Sequence, residues 1–391
     1  MPNIDRLITE KCPEGVEFKP LCEVTNLTAG DRIIKSMMSD DAEYPVMGGG
    51  DKPTGKYTDY NFEHSATISR AGSAGSVNWL EGKFWATDVC FVASQKEDGL
   101  DIKFVYYYLC SQQPLLKTKI YGGNLPKLNK QFLWTLPIPM PAIEIQREIV
   151  RMLDSFTELE AELEAELTKR KQQYEYYMNA LMLFGNNIPT KTFGEIATVS
   201  DYVANGSFAS LRENVSYKRN PDYAVLLRTV DYSNGFDKDK FIYIDENAYN
   251  FLSKSKLFGG EIIINNIGAG VGTTFRCPEL GMPMSLAPNA IMVTTPNDEF
   301  YYYWLQSKQG KDAINKITSK SAMPKFNKTG FRTIRVPVPS QEEQERIVNV
   351  LKKLEALCCD ITEGLPAEIN ARHKQYEYYR DKLLTFKERV V

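Results

Sequence analysis

The 391-residue chain is 43% hydrophobic and 25% charged with a formal net charge of −3, the balance of an ordinary globular protein long enough for two or three cores. It has no leader-like opening and no uncharged apolar run near the ~18 residues a membrane helix needs, which points to the cytoplasm and away from a membrane. Seven cysteines without CxxC spacing and only two histidines leave little for disulfides, structural zinc or acid–base catalysis.

From the amino terminus, residues 1–140 suggest a mixed domain of strands, turns and short helices, with strands at 66–69 and 89–93. A glycine loop, Arg70-Ala71-Gly72-Ser73-Ala74-Gly75, follows the first of these, and a short helix carries Tyr106-Tyr107-Tyr108-Leu109. Residues 117–130 hold Lys117, Lys119, Lys127 and Lys130 with no acid, and end in Pro126-Lys127-Leu128-Asn129-Lys130. From Ile143 a long helix is predicted across 141–187, because Ile149, Leu153, Phe156, Leu163, Leu167, Tyr174, Tyr177 and Leu181 form a heptad-like stripe with acidic flanks. Glu160 and Arg170 interrupt that seam.

Residues 188–338 repeat the first pattern. Strands are predicted at 223–228, 241–244, 262–265 and 290–294, with a glycine loop Gly268-Ala269-Gly270-Val271-Gly272 and a helix carrying Tyr301-Tyr302-Tyr303-Trp304-Leu305. Residues 190–338 carry an excess of four cations, whereas 141–189 carry an excess of four acids. Eight of those cations, including Lys311, Lys325, Lys328 and Arg335, fall within 308–335 against the single acid Asp312. Such a basic strip suits phosphates, since neutralising them releases counterions; a solvated lysine-rich face is the plainer alternative. A second long helix, over 339–391, follows Ile347, Leu351, Leu354, Cys358, Ile361, Leu365, Ile369, Arg372, Tyr376, Tyr379, Leu383 and Phe386.

Three blocks recur in one order. Pro139-Met140-Pro141 with Gln146-Arg147-Glu148-Ile149-Val150 returns 198 residues later as Pro337-Val338-Pro339 with Gln344-Glu345-Arg346-Ile347-Val348. Pro126–Lys130 returns as Pro324-Lys325-Phe326-Asn327-Lys328, and Gln173-Tyr174-Glu175-Tyr176-Tyr177 returns letter for letter as Gln375-Tyr376-Glu377-Tyr378-Tyr379. The chain is thus a tandem duplication of a domain plus a helix, too long in period for a solenoid. The two helices are expected to pair antiparallel within the chain, homodimerisation through each being the alternative. The offset grows from 198 to 202 across the second helix, a four-residue stutter that includes Gly364-Leu365-Pro366 and predicts a bend there.

Three enzyme-like motifs fail on inspection. Gly50-Asp51-Lys52-Pro53-Thr54-Gly55-Lys56 has P-loop spacing, but Tyr57 stands where a hydroxyl would hold magnesium. Asn220-Pro221-Asp222-Tyr223 approaches the adenine-binding Asn-Pro-Pro-Tyr loop of methyltransferases but has no counterpart in the first half. No acid lies between Pro283 and Pro296, about 20 residues beyond the glycines of 268–272, to hold a cofactor ribose.

The duplicated Pro-x-Pro and Gln-x-x-Ile-Val blocks, the paired Gln-Tyr-Glu-Tyr-Tyr helix ends and the domain order resemble the specificity subunit of type I restriction-modification systems over essentially the whole chain. Tyr44-Pro45-Val46-Met47-Gly48-Gly49-Gly50 through Pro53-Thr54-Gly55-Lys56-Tyr57 also looks like a stretch of its target-recognition domains. The first copy departs only in Ile145 before Gln146. The resemblance implies an α+β fold: two mixed α/β target-recognition domains separated by a pair of long antiparallel coiled-coil helices with an internal pseudo-twofold repeat. It implies a non-catalytic reader of a bipartite double-stranded DNA target. Two modification subunits would dock on the helices and restriction subunits would join them, with S-adenosylmethionine, ATP and magnesium on those partners and no cofactor on this chain. A coiled-coil scaffold and a self-sufficient DNA methyltransferase are the competing readings.

Candidate DNA contacts are Arg70, Ser73, Lys127, Asn129 and Lys130 in the first domain and Arg276, Lys325, Asn327 and Lys328 in the second. Because Pro-Lys-[Leu/Phe]-Asn-Lys is shared, it is expected to grip backbone, leaving base reading to unshared loops such as 205–219. Tyr174, Tyr177, Tyr376 and Tyr379 are the candidate partner-binding residues.

Overall fold

The computed structural model describes residues 2–96, 99–185, 187–359 and 364–389. It divides into two compact units, Met1–Ala165 with Glu368–Val391, and Glu166–Ala367.

The first unit is built on a six-stranded sheet. Its spatial order is Thr25–Ala29, Cys90–Gln95, Phe62–Ser69, Val77–Ala86, Tyr44–Met47 and Gly55–Tyr57. Strand Phe62–Ser69 is central, and its last five residues are buried on both faces, which explains its run of Ser-Ala-Thr-Ile-Ser without polar alternation. Helix Ile102–Ser111 packs on the sheet; Asp101 caps it by accepting the Lys103 and Phe104 N–H groups. Phe104, Val105, Tyr107 and Leu109 on this helix share one core with Ile145, Ile149 and Leu153 of the first long helix, Ile143–Leu181.

The carboxy-terminal helix closes that core. Leu383 and Leu384 are buried in it, with Tyr376, Tyr379 and Phe386 packed against it. Phe156 stacks on Tyr379 with ring centroids 5.5 Å apart, and Glu160 Oε1 lies 2.8 Å from His373 Nδ1. Moving up the first helix corresponds to moving down the second, so the pairing in this unit is antiparallel. Stripe residues Leu163 and Leu167 are only half-buried, since two helices bury less than a core does.

The second unit holds two four-stranded sheets. One has the order Thr198–Asp201, Ala290–Thr294, Ile262–Asn265, Thr274–Arg276; the other has Tyr243–Ile244, Ala224–Leu227, Met284–Leu286, Lys256–Leu257. Strands 262–265 and 290–294 occupy the expected residues, whereas 223–228 and 241–244 shorten at turns. Helix Asp298–Gln306, capped by Asn297, buries Phe300 through Leu305. The closing core joins Met178 of the first long helix and Met182 just beyond its end to Ile347 and Leu351 of the second. Each unit therefore combines the start of one long helix with the end of the other.

A two-stranded ribbon ends each globular region: Glu17–Pro20 with Pro137–Met140, and Thr190–Thr192 with Arg335–Pro337. The repeated glutamine then ties the ribbon to the helix. Buried Gln146 Nε2 donates to Pro141 O at 2.8 Å, and Gln344 Nε2 donates to Pro339 O at 3.0 Å. That bond is the physical content of the Pro-x-Pro…Gln repeat, because a proline-rich turn offers carbonyls without the matching N–H donors.

The first long helix is continuous over Ile143–Leu181, and the second is described over Gln341–Cys359 and Gly364–Leu383. Gly364 has φ +73°, and a Cβ there would stand 2.7 Å from Ala356 O. The left-handed residue thus stands at the Gly-Leu-Pro stutter where a bend is expected, and the predicted stripe residue Ile361 lies outside the described residues.

Candidate nucleic-acid interface

In the first unit, strand Phe62–Ser69 delivers the loop Arg70–Gly75, where Gly72 and Gly75 both have φ +83° and so need a residue without Cβ. A second glycine segment holds the loop: Ser73 N–H donates to Gly49 O at 2.8 Å, and a Cβ on Gly49 would meet Ala71 O at 2.0 Å. Against the other side lies the basic motif. Ala71 and Lys127 form an antiparallel bridge, and Leu128 N–H donates to Arg70 O at 2.9 Å. Two sequence features more than fifty residues apart thus form one edge.

Arg70, Ser73, Asn129 and Lys130 are exposed on that edge and Lys127 is half-buried. Asn129 Oδ1 accepts Phe132 N–H at 3.0 Å and caps helix Lys130–Trp134, whose Lys130 lies over the Trp134 ring at 4.9 Å. The Arg70 guanidinium sits 5.7 Å from the Phe91 ring.

The second unit repeats the construction. Strand Ile262–Asn265 leads into the loop with Gly268 and Gly272 at φ +95° and +87°. Ile267 bridges Lys325, Gly268 N–H donates to Pro324 O at 2.9 Å, and Phe326 N–H donates to Asn266 O at 3.1 Å. Asn327 caps helix Lys328–Arg332 through Gly330 N–H at 2.8 Å. Beside the loop a cleft of about 410 Å³ is lined by Gly272, Thr273, Gln306, Lys311 and Asn315. Lys325 is exposed with no ion-pair partner among the described residues, whereas Lys328 Nζ is held by Asp201 Oδ1 at 2.8 Å.

Arg276 is placed elsewhere. It pairs with Ile262, at the far end of the strand from the glycine loop, and its guanidinium reaches Glu299 at 3.1 Å and Glu355 at 3.0 Å over the faces of Tyr302 and Tyr303. It belongs to the junction with the long helix rather than to the basic edge.

Tyr174 and Tyr376 turn inward and are half-buried, as is Tyr379 against Phe156, and Tyr177 is 42% exposed. The most exposed rings are Tyr176 and Tyr378, at 69% and 62%. Heptad counting passed over them, although an exposed tyrosine kept at the same place in both repeats was a usable signal.

The P-loop look-alike is part of a hairpin between Tyr44–Met47 and Gly55–Tyr57, where Thr54 N–H donates to Val46 O, and no helix follows it. Asp222 of the Asn-Pro-Asp-Tyr segment is held by Lys218 at 2.7 Å. Burial pushes the thiols of Cys90 and Cys110 up to about 12, so both stay protonated near neutrality. Among the described residues no group of three or more His, Cys, Asp and Glu is placed to hold a metal, and no helix is long and apolar enough to cross a membrane.

Two α/β recognition units, each with a glycine loop fastened to a basic turn and a long helix behind it, define a duplicated DNA-specificity architecture. Residues 13–169 and 188–371 match the type I restriction modification DNA specificity domain, and the chain belongs to that family. DNA recognition is its role.

A putative type I restriction enzyme specificity subunit of Haemophilus influenzae is 29% identical, over 98% of this chain and 99% of its own. The EcoR124I/EcoR124II specificity subunit of Escherichia coli is also 29% identical, over 96% of each. In fold, the chain resembles the S subunit of the type I restriction-modification system of M. genitalium, with 19% identity, coverage of 95% and 96%, and a TM-score of 0.55.

Proposed function

We propose that this chain reads a split target, one half through each globular domain, and directs adenine methylation and restriction by partner subunits without catalytic activity of its own. The observation that carries this reading is the repeated edge in which a glycine loop is bonded to Pro-Lys-x-Asn-Lys, at Ala71–Lys127 and at Ile267–Lys325. Backbone amides of such loops and the lysines beside them suit phosphates, and a repeated edge suits a duplex contacted twice. The functional division is residues 1–140 and 188–338 as recognition domains, with the helices of 141–187 and 339–391 as spacers and docking surfaces.

At the edge, Arg70, Ser73, Lys127, Lys130 and Lys325 contact DNA, while Asn129, Asn327 and Lys328 hold the turns that present them. Two modification subunits dock on the helices, Tyr176 and Tyr378 adding exposed rings to the tyrosine clusters. S-adenosylmethionine belongs to those subunits, and ATP and magnesium to the restriction subunits that complete the complex. The setting is the cytoplasm, where host DNA is available.

The test is co-expression with the neighbouring modification subunit and mapping of N6-methyladenine across host DNA. A two-part methylated motif that depends on this chain is expected. An assembled complex with no chain-dependent methylation would return the chain to the scaffold reading.

A further inference from the structure

The junction between each globular domain and the long helix that follows it carries a row of three charges, and the two rows have opposite signs. In the first unit Glu81, on strand Val77–Ala86, lies 4.0 Å from Lys103 on helix Ile102–Ser111, and Lys103 lies 2.9 Å from Asp154 on the first long helix. In the second unit Arg276, on strand Thr274–Arg276, lies 3.1 Å from Glu299 on helix Asp298–Gln306, and Glu299 lies 3.3 Å from Lys352 on the second long helix. The order is acid, base, acid in the first and base, acid, base in the second, where Arg276 also reaches Glu355 of the long helix at 3.0 Å.

The positions correspond. Tyr107 and Tyr303 are 196 residues apart within their matched helices, and so are Lys103 and Glu299. Gln146 and Gln344 are 198 residues apart in the matched block, and so are Asp154 and Lys352. On the strands, Trp79 pairs with Ala66 as Arg276 pairs with Ile262, which puts Glu81 two residues from the matching place. The pair Lys103–Asp154 is therefore replaced by Glu299–Lys352, with both signs exchanged.

A buried tyrosine also ties each domain to its long helix, through a row residue in the first unit and beside the row in the second. Tyr107 Oη donates to Asp154 Oδ1 at 2.5 Å, and Tyr303 Oη donates to Glu355 Oε2, one turn beyond Lys352, at 2.7 Å. Lys103 and Asp154 are each 27% exposed, so their attraction is less screened than that of a surface pair, and a like charge placed opposite would be correspondingly costly.

We propose that the two rows are positioning latches that hold each recognition domain at one angle on its own helix, their opposite signs keying each domain to that helix. Lys103 set against Lys352, or Glu299 against Asp154, would repel, which favours each domain's own helix. The latch rests on the bipartite reading above, because its consequence is a fixed distance between two half-sites.

The experiment uses the full chain assembled with its modification subunits. Affinity is measured for the bipartite target and for one whose gap is lengthened by one base pair, with thermal unfolding in parallel. Lys103→Glu gives the first domain the second domain's charge and is expected to lower discrimination between the two gaps by about tenfold, roughly 1.4 kcal/mol. Lys103→Glu with both Glu81→Lys and Asp154→Lys rebuilds the row with its signs inverted and is expected to restore it to within about threefold. Glu299→Lys, which sets a cation between Arg276 and Lys352, should lower discrimination in the same way. Should Lys103→Glu fail to fold, Lys103→Gln removes the charge without repulsion and is expected to lower discrimination by a smaller factor.

Single variants that keep wild-type discrimination, or a triple variant no better than Lys103→Glu alone, would overturn the latch while leaving the bipartite reading intact. A wild-type complex with no preference for one gap would overturn both.

Discussion

Gln146 Oε1 accepts the backbone N–H of Asp101 at 2.8 Å, so a side chain on the long helix secures the residue that caps the tyrosine helix. The same carboxamide donates to Pro141 O and, at 3.3 Å, to Gly99 O.

Gln146→Leu leaves the Asp101 N–H and the Pro141 carbonyl without these partners in a buried setting. The expected loss is about 1–3 kcal/mol for each group stranded, read as a lower thermal midpoint of the full chain. An unchanged midpoint would show that water replaces the carboxamide at no cost.

The two lysines of the second basic turn should separate. Lys325→Ala is expected to weaken binding to all DNA sequences alike and to lower the salt slope by about 0.9, with no change in thermal stability. Lys328→Ala strips Asp201 of its ion-pair partner and should also lower stability, because the carboxylate side chain is 15% exposed. Salt titrations of the assembled complex and unfolding of the chain distinguish the two.

Tyrosines on opposite faces of one repeat should also part. Tyr176→Ala and Tyr378→Ala are expected to weaken assembly with the modification subunit at constant thermal midpoint. Tyr376→Ala should cost about 3 kcal/mol of stability by opening the core it packs against. Size-exclusion titration with the modification subunit gives the first effect and denaturant unfolding the second.

Alkaline pH should unfold the chain early. Burial raises the Cys90 and Cys110 thiols from 9.0 to about 12 and the Tyr301 and Tyr302 phenols from 10.0 to about 12. Between those values the unfolded chain has lost protons that the native chain keeps, so stability is intact below pH 9 and falls as pH rises from about 9 towards 12. The check is denaturant unfolding at pH 8 and pH 10.5; equal midpoints would contradict it.

The duplication, both long helices, the left-handed turn at Gly364 and two of the central strands were legible because each has a local cause: a repeat, an apolar period, a glycine two residues before a proline, a β-branched run. The glycine loop and the Pro-Lys-x-Asn-Lys turn were each visible, but their union was not, since it rests on backbone bonds between distant segments such as Leu128 to Arg70. Arg276 looked like a free base reader for the same reason. Its partners Glu299 and Glu355 lie 23 and 79 residues away, and nothing in its neighbourhood announces them. Tyr174 and Tyr176 are two helical positions apart and so face opposite ways, a distinction that a heptad stripe blurs as its phase drifts.

Val16 and Glu388 are bridged in parallel, and Arg389 N–H donates to Val16 O at 2.9 Å, so the last helix and tail complete the first unit. The second unit comprises Glu166–Ala367. During synthesis the first unit's tyrosine core therefore lacks Leu383 and Leu384 until the last segment is made, by which time every residue of the second unit has been added. Premature termination near residue 370 would leave a finished second domain joined to a first one unable to close.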